Sequence, residues 1–374
     1  METEDTMSRI FKKNIQILRN LPYTDKKQKW RSVMNNDFDQ EVELNSKLSQ
    51  NPKKRSNIKI IMIIGVLIFA IIGGIYIYFM QTYNKIDYVE IPKTDEDLGI
   101  SKEAENEINI FDKNKSIFNV LLFGVDKRSD EEKGRSDSIM ILTIDPVNNK
   151  IKLSSLMRDS RVTIKDYGED KLGHAYAYGG PELAIHTINK NFRLNIRHFA
   201  SIDYGGLVNI IDSVGGIYAT VKEDEIDMVN KYTNDTAFVE GLSYKPITRS
   251  GYQLLDGLQA VGYSRIRKVG DGDYERTQRQ RIVLSAVIRK LTDLNVLELP
   301  GVIRKLAANV ETNITSNYML TVGSSILNAG ISDIRQARFP TDENSKGEMI
   351  KGSWFLVFDE YETIDELHDF IFRD

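Results

Sequence analysis

The sequence predicts an α/β domain, with a sheet covered by helices, that follows a single membrane-spanning helix. Residues 60–80 form one apolar run without a charged side chain, and about 20 apolar residues in a helix cross the hydrocarbon core of a bilayer. From residue 117, apolar segments of strand length alternate with longer segments of helical period, which is typical of helix-covered sheets. The chain contains 0 Cys and is 41% hydrophobic, so disulfides and thiolate metal sites are excluded while a packed core is possible.

The apolar run has the features of a membrane anchor rather than those of a cleaved signal peptide. It is long for a signal-peptide apolar region, and no A-x-A-like cleavage site follows it. Four basic residues, at 53–55 and 59, flank it upstream, and Tyr76 lies near its far end. A helix buried in a protein core is the alternative interpretation.

Basic residues predict the orientation of this anchor. Residues 1–59 contain thirteen Lys and Arg, whereas only Lys85 and Lys93 occur in the twenty residues after the span. The positive-inside rule then places the N-terminus in the cytoplasm and residues 81–374 outside the cell. The tail has a net charge of +5 and the whole chain −4, so the outer part has −9. Such an acidic domain is a poor general binder of nucleic acid, and an anion site in it must be a local cluster of arginines.

The chain is predicted to divide at the span and again at residue 117. Residues 1–59 are polar and form either a short amphipathic helix on the inner leaflet or a solvated tail. Residues 81–116 are rich in charge and lack sustained periodicity, which indicates an extracellular stalk. Residues 117–374 form the extracellular domain, with its motifs concentrated in residues 117–285. Residues 290–374 continue the α/β pattern and complete the domain.

Within the domain, the elements follow in order. "IFNVLLFGVD" (117–126), "SIMILTID" (138–145) and "IKLSSLM" (151–157) are predicted strands, and the last two are joined by the turn "PVNNK". A helix begins near Pro181, because proline is accepted at the first helical position. The remaining elements are a strand at "HFASID", a helix at "YGGLVNIIDSV", a strand at "GGIYATV", a helix and then a strand in "LLDGLQAVGYSRIRK", a long helix from Asp273 as its N-cap to residue 294, and a strand, turn and helix in "WFLVFDEYETIDELHDFIF".

Five charged side chains are expected at one edge of the sheet. Asp126 ends the first strand, Arg135 and Asp137 precede the second, and Arg158 and Asp159 follow the third. The second and third strands form a hairpin, so the start of one and the end of the other lie at the same edge. The short link from the first strand to the second keeps the first aspartate there as well.

Two further pairs of residues extend this cluster. Arg265 and Arg267 are two apart on a predicted strand and point to one face. Arg276 and Gln280 are four apart on the long helix and share a face, and the arginine lies in the first turn, where the helix dipole favours anions. Arginine binds phosphate oxygens through its planar fork, and aspartates hold a divalent cation that bridges phosphates. Singly, each residue could be a cap or a solvated side chain; together they predict a diphosphate site.

At these residues the chain resembles the LytR-CpsA-Psr family of cell-wall polymer transferases. The resemblance covers most of residues 117–285 in the family's order. Gly173 stands where many members carry Asn, and Met157 where Pro is common, but neither departure removes a charged residue. The matching segments are "NVLLFGVDKR" (119–128), "GRSDSIMILTIDP" (134–146), "LSSLMRDSRVTI" (153–164), "DKLGHAYAYGGPELAIHTI" (170–188), "IDYGGLVNIIDSVGGI" (202–217) and "GYQLLDGLQAVGYSRIRKVGDGDYERTQRQ" (251–280).

The resemblance implies a fold and a substrate. The fold is a three-layer α-β-α sandwich with a mixed central sheet, which holds a polyprenyl (pyro)phosphate with its lipid tail in a hydrophobic pocket. Members transfer glycopolymers such as wall teichoic acid or capsule from an undecaprenyl diphosphate carrier to a peptidoglycan sugar hydroxyl, in a Gram-positive-type envelope. By position, Asp126 and Asp137 are the implied Mg²⁺ ligands. The implied substrate-binding residues are Arg135, Arg158, Lys171, Arg265, Arg267, Arg276 and Gln280.

The expected reaction is a Mg²⁺-assisted phosphotransfer, which depends mainly on positioning and charge stabilisation. Arg135 and Arg158 are expected to stabilise the reacting phosphates, and Asp159 or Asp273 to act as the general base if one is needed. His174 is expected to be structural. Two alternatives use the same residues: a polyprenyl-diphosphate pyrophosphatase with water as the acceptor, and a non-enzymatic lipid-binding regulator of the envelope.

Overall fold

A computed structural model describes residues 86–112, 116–126, 134–294, 299–315, 317–319, 321–322 and 333–373. The predicted tail at 1–59 and the predicted span at 60–80 lie outside the described residues, so both stay predictions. Within the described part of the chain, no helix is both long enough and apolar enough to cross a membrane.

A mixed sheet forms the centre of the domain, with the strand order β1-β10-β7-β2-β3-β4-β11. Strands β2, β3 and β4 form an antiparallel meander, while β7 and β11 pair in parallel with β2 and β4. The strands predicted at 117–126, 138–145 and 151–157 are confirmed, and the second of them begins earlier, at Arg135. The strands of the described residues are β1 (Asp87–Tyr88), β2 (Phe118–Asp126), β3 (Arg135–Asp145), β4 (Lys150–Leu156), β5 (Arg161–Ile164), β6 (Gly168–Lys171), β7 (His198–Asp203), β8 (Ile217–Val221), β9 (Gly251–Leu255), β10 (Glu311–Thr312), β11 (Asp333–Phe339), β12 (Ser345–Ile350) and β13 (Ser353–Phe358).

Helices cover both faces of this sheet, as the alternation of elements predicted. Leu121 and Phe123 of β2 face one way and join a core with helix α2, where the rings of Phe123 and Tyr176 are 5.1 Å apart. Leu122 and Met140 face the opposite way, towards α3 and α6. The α-helices of the described residues are α1 (Lys102–Phe111), α2 (Leu172–Phe192), α3 (Tyr204–Ser213), α4 (Ile226–Glu240), α5 (Gly257–Ser264), α6 (Asp273–Thr292), α7 (Leu299–Ala307) and α8 (Glu360–His368).

Residues 86–112, predicted to belong to a stalk, are part of the domain. Strand β1 pairs with β10 at the edge of the main sheet, and α1 buries Ala104 and Ile108. Leu98 is 1% exposed, and its carbonyl accepts a hydrogen bond from the amide of Asn189 at 2.9 Å. Ala104, Ile108 and Phe111 follow a helical period, but only over one short helix among many charges, so the sequence carries no sustained periodic signal here. The boundary predicted at residue 117 is therefore too late.

Helix α2 consists of two segments that meet at Gly180. This glycine has φ 71° and ψ −159°, and Pro181 begins the second segment, as predicted. The first segment, which the sequence did not predict, starts beside the charged edge of the sheet, where the N–H of Gly173 donates to the carbonyl of Arg158 at 2.8 Å. The second segment supplies Ile185 to the core. The first segment also joins this core through Tyr176, so it contacts both the charged edge and the core.

Candidate active site

The charged residues at the edge of the sheet line one cavity of about 780 Å³, here called the polar cavity. All five side chains that the strand order predicted to meet are in its wall, together with Lys171 and Arg267. The structure thus confirms the clustering and adds to it Lys171, which the resemblance implied, at the end of β6. The lining residues are Asp126, Gly134, Arg135, Ser136, Asp137, Arg158, Asp159, Lys171, Gly173, His174, Ala177 and Arg267.

A β-bulge places Asp137 in this cavity. In the β2–β3 pair, Gly124 is opposite Ser138 and Val125 is opposite Ser136, so Asp137 is an extra residue of β3. A bulge re-aims side chains that regular alternation would otherwise fix to one face. Ser136 is buried, and its hydroxyl donates to a backbone carbonyl of α2 at 3.4 Å, while Asp137 borders the cavity.

Arg158 joins three carboxylates. Its guanidinium forms an ion pair with Asp137, and its Nε lies 3.2 Å from Asp273 and 3.6 Å from Asp159. Burial alone would lower the pKa of Arg158, but the carboxylates of Asp273 and Asp137 raise it above its ordinary value. The site therefore contains a fixed cation where two strands and one helix meet.

Asp273 holds a group of arginines together. Its oxygens lie 2.9 Å from Arg267 Nε and 2.9 Å from Arg276 Nη2, in addition to the contact with Arg158. Burial, and then repulsion by Arg158, lower the pKa of Arg276. The N-cap role predicted for Asp273 is wrong: Gly272 is the cap, and Asp273 is the first residue of α6. Its carboxylate faces three guanidinium groups rather than the backbone.

The predicted strand through Arg265 and Arg267 does not form, and the two side chains lie in different surroundings. Helix α5 ends at Ser264, and the residues after it are irregular, with no described strand beside them for pairing. Arg265 lies over the ring of Tyr204, 4.4 Å from its centroid, and donates to the hydroxyl of Thr236 at 2.7 Å. Only Arg267 of this pair lines the polar cavity. Period-two spacing alone was therefore insufficient evidence for a shared face.

Lys171 closes another side of the cavity. Its ammonium lies 2.7 Å from Asp159 and 5.8 Å from the centre of the Phe355 ring. Asp159 is buried and also lies near Arg158. The carboxylate of Asp159 is therefore shared between two cations.

A second cavity, of about 440 Å³ and mostly apolar walls, lies between the sheet and helices α3 and α6; it is called the apolar cavity. Gln280, predicted to contact the head group, lines this cavity. Asp137 lines both cavities, so they adjoin at this residue. The main apolar lining residues are Leu122, Met140, Leu142, Leu207, Ile210, Val283, Leu284, Val287, Ile288, Leu291 and Leu306.

Arg279 is a structural residue that the sequence did not single out. Its side chain is 3% exposed, and it pairs with Glu225, which is 1% exposed, at 2.8 Å. Its Nη1 also donates to the carbonyl of Ile266 at 3.3 Å, in the segment that carries Arg267. In a stretch with several arginines, nothing in the sequence separates the buried one from the others.

Replacing Arg279 with methionine is expected to lower the free energy of unfolding by about 3–5 kcal/mol, because Glu225 would remain as an unpaired buried charge. Urea denaturation measures this loss. Arg289→Met, at an exposed position of the same helix, is the control and should change the value by less than about 0.5 kcal/mol. Equal losses in the two variants would contradict the structural role of the buried pair.

His174 lies in the wall of the polar cavity. Its Nδ1 is 3.0 Å from Asp170 Oδ2, and the same oxygen accepts the hydroxyl of Tyr178 at 2.6 Å. The three residues are spaced four apart, which is the spacing of neighbours on a helix surface. This spacing is a signal from which the cluster could have been found in the sequence.

Several known proteins are similar to this chain in sequence and in fold. The chain is 31% identical over 309 residues to the polyisoprenyl-teichoic acid–peptidoglycan teichoic acid transferase TagU of Bacillus mycoides (strain KBAB4), a match that covers 81% of this chain and 92% of that protein. The structure of TagT bound to LI-WTA superposes with a TM-score of 0.55 at 25% identity, covering 70% of this chain and 93% of that one. YwtF (TagT) with bound octaprenyl pyrophosphate lipid shares the fold, with a TM-score of 0.52 at 23% identity and 70% and 92% coverage.

A family model supports the same assignment over most of the chain. The model of the LytR_cpsA_psr family matches residues 75–368. This range includes every described residue of both cavities. It also begins before residue 117, in agreement with the earlier start of the folded domain. The chain therefore belongs to the LytR-CpsA-Psr family.

Proposed function

We propose that this protein is a phosphotransferase that moves an anionic glycopolymer, of the wall teichoic acid or capsule type, from an undecaprenyl diphosphate carrier to a sugar hydroxyl of peptidoglycan. One observation carries the proposal: the cation-lined polar cavity and the apolar cavity meet at Asp137. A lipid-linked diphosphate joins an apolar tail to an anionic head, so it matches the pair of cavities. The names of two relatives support the proposal, since TagU is named a teichoic acid transferase and TagT holds octaprenyl pyrophosphate in a solved structure.

Four cations of the polar cavity are the proposed clamp for the phosphates: Arg135, Arg158, Lys171 and Arg267. Guanidinium groups bind phosphate oxygens with two parallel hydrogen bonds, and the ammonium adds a point charge. Arg276 is buried, donates to the Asp137 carbonyl at 3.5 Å and pairs with Asp273. Its proposed part is to support the clamp from the interior.

Asp126 and Asp137 fit a Mg²⁺ ion that is shared with the substrate phosphates. Both carboxylates line the polar cavity, and both act on Tyr204, whose pKa is raised to about 12 by burial and then by these charges. In the part of the chain that is described, no group of three or more His, Asp or Glu side chains could hold a metal ion. Magnesium needs no such group where one or two carboxylates and phosphate oxygens serve as ligands. When bound, the ion would offset the charge on the reacting phosphates.

The proposed reaction exchanges one oxygen on phosphorus for another. The acceptor hydroxyl oxygen loses its proton and bonds to the sugar-linked phosphorus, the bond from this phosphorus to the bridging oxygen breaks, and polyprenyl phosphate leaves with the electron pair. Arg135, Arg158 and Arg267 stabilise the charge that develops. The contacts of Asp159 and Asp273 do not favour either as the general base, because their oxygens already lie against cations.

The proposed location of the domain is the outer face of the cell membrane, anchored by residues 60–80 with the N-terminus in the cytoplasm. The basic tail and the acidic outer part support this orientation. A polyprenyl carrier resides in a bilayer, so a membrane anchor keeps the apolar cavity close to its substrate.

A transfer assay tests the proposal with the full chain, a polyprenyl-diphosphate-linked teichoic acid donor, peptidoglycan glycan and Mg²⁺. The expected result is polymer attached to the glycan, with release of polyprenyl phosphate that depends on the acceptor. Release at the same rate without the acceptor would identify a pyrophosphatase instead. Binding of the donor without turnover would favour the non-enzymatic regulator.

Filling the apolar cavity tests the site of the lipid tail. Leu284→Trp should weaken donor binding about 30-fold, because displacing two or three methylene groups costs about 2 kcal/mol. Titration of a fluorescent polyprenyl diphosphate measures the loss, and an analogue with a truncated tail should bind both forms equally. Val147→Trp, at a position that is 67% exposed, is the size-matched control and should bind both ligands like the wild type. Unchanged binding of the long-chain ligand to Leu284→Trp would place the tail elsewhere.

A further inference from the structure

His174 in the wall of the polar cavity belongs to a cluster of side chains that the phosphate clamp does not use. Asp170, His174 and Tyr178 are linked by hydrogen bonds, and the ring of Tyr167 stacks on that of Tyr178 at 4.4 Å with an interplanar angle of 11°. These four residues are called the rim cluster. They come from the β5–β6 ribbon and the first segment of α2. Both tyrosines are exposed, at 55% and 37%.

We propose that the rim cluster is the subsite for the acceptor sugar, with His174 receiving the proton of its hydroxyl and the tyrosines supporting the glycan. The inference rests on the proposed function and assigns its second substrate to named residues. The ligand class is a pyranose chain with a free hydroxyl, which enters from the open side of the polar cavity.

The hydrogen bonds of Asp170 fix the form of His174 that can accept a proton. A carboxylate oxygen only accepts hydrogen bonds, so Nδ1 must carry the hydrogen in this pair. In the neutral ring Nε2 then has the lone pair, and none of the described residues hydrogen-bonds it. The N–H of Lys171 at 2.8 Å and the hydroxyl of Tyr178 at 2.6 Å hold the carboxylate in place. A carboxylate that orients histidine in this way also stabilises the imidazolium that forms on protonation.

The position of His174 suits an in-line displacement. It lines the polar cavity and is not part of the apolar cavity. The leaving lipid phosphate departs on the side of the apolar cavity, and an in-line attack brings the nucleophile from the opposite side of the phosphorus. In the proposal, an acceptor at the rim cluster takes this position, on the polar-cavity side of the phosphorus.

The stacked tyrosines offer a surface for a sugar. The axial C–H groups of a pyranose carry a small positive charge and pack on the negative face of an aromatic ring. Tyr178 is tied to Asp170 by its hydroxyl, and this bond is the main cause of its raised pKa, which nearby Arg135 partly offsets. The tyrosine pair is thus hydrogen-bonded to the carboxylate that orients His174 and lies near Arg135 of the phosphate clamp.

In the proposed step, the proton of the acceptor hydroxyl moves to Nε2 of His174 while the hydroxyl oxygen bonds to phosphorus. The bond to the bridging oxygen breaks, and polyprenyl phosphate takes the electron pair. The imidazolium, paired with Asp170, returns its proton to solvent after the products separate. Atoms and charge balance without a further reactant.

Steady-state kinetics of the full chain test the two halves of the subsite separately. His174→Gln should lower kcat about 10²- to 10³-fold, with the acceptor KM and the donor Kd changed less than about threefold. Added imidazole should restore part of the kcat of His174→Ala.

Tyr167→Ala should raise the acceptor KM about tenfold and leave kcat within about threefold. This is the expected result when the lost contact stabilises the ground state and the transition state equally.

Matched variants separate these effects from general loss of structure. His186→Gln is the control on the same helix, and Tyr252→Ala is the control in another exposed stacked pair, Tyr218 with Tyr252 at 5.3 Å; both should keep wild-type kinetics. A His174→Gln enzyme with wild-type kcat, or with equally reduced donor affinity, would overturn the role of the histidine. An unchanged acceptor KM in Tyr167→Ala would overturn the proposed role of the stacked tyrosines in holding the sugar. A wild-type protein that binds the donor but never transfers polymer would overturn the proposed function itself. That outcome is distinct from the ones above, because the variants are compared with a wild type that is active.

Discussion

The Asp137→Ala variant is expected to transfer polymer at least about 10³-fold more slowly than the wild type while keeping its fold. Asp137 is the residue at which the two cavities meet, it pairs with Arg158, and it is one of the two proposed Mg²⁺ ligands. Its loss removes a metal ligand and frees a guanidinium at once, and removal of one preorganised group alone typically costs 10²–10³ in rate. Initial rates at saturating donor and acceptor measure the effect.

Asp333→Ala is the matched control, since this carboxylate is also on a strand but is 52% exposed at the edge strand β11. It should transfer at the wild-type rate. Thermal unfolding shows whether either variant has lost its fold. Combining Asp126→Ala with Asp137→Ala should be no slower than the single variant, because ligands of one ion act as a unit. Transfer at the wild-type rate by Asp137→Ala would refute the metal assignment.

Replacing Arg158 with methionine is expected to reduce kcat/KM for the donor by about 10²- to 10³-fold and to destabilise the protein by about 3 kcal/mol. The first effect follows from the loss of a fixed cation beside the phosphates. The second arises because Asp137, Asp159 and Asp273 then repel one another in a largely buried site. Arg158→Lys should recover part of the stability but little of the rate, since an ammonium lacks the planar fork.

Arg161→Met is the control for Arg158→Met. It lies three residues further along the chain and pairs with exposed Glu169, so both the rate and the free energy of unfolding should stay close to the wild type. If Arg158→Met bound donor normally and lost only stability, Arg158 would be a structural residue and the clamp would consist of the other cations.

The sequence was sufficient to predict the central meander and the meeting of five charges at its edge. Both follow from local pattern and from the rule that a hairpin brings the start of one strand to the end of the other. Asp126, Arg135, Asp137, Arg158 and Asp159 therefore met as expected. The contact of Arg158 with Asp273 was not predictable, because Asp273 lies on α6, 115 residues further along the chain.

Three features of the fold and the site could not be predicted from the sequence, each for a physical reason. The two arginines after α5 are spaced two apart, as on a strand, but no described strand pairs with this segment. Arg265 therefore packs on Tyr204, and only Arg267 lines the polar cavity. The segment 86–112, predicted to belong to a stalk, has only a few buried apolar residues, and they are scattered through a charge-rich sequence. The first segment of α2 ends at a glycine with positive φ, and this break concealed the short helix that carries His174 and Tyr178 beside Asp170 of β6.

The bulge at Asp137 has a consequence for how this chain tolerates insertions and deletions. Beyond the bulge, Ser138, Met140 and Leu142 line the apolar cavity, whereas Ser136 is directed to α2. Removing one residue here would restore plain alternation, with Arg135 still opposite Asp126 and Ser138 still opposite Gly124, but the extra position that brings Asp137 to the polar cavity would be lost. The chemistry of this edge depends on the number of residues as much as on their identity. In an alignment of relatives, a gap within 135–138 should signal a lost or rebuilt site even where every charged residue still finds a counterpart.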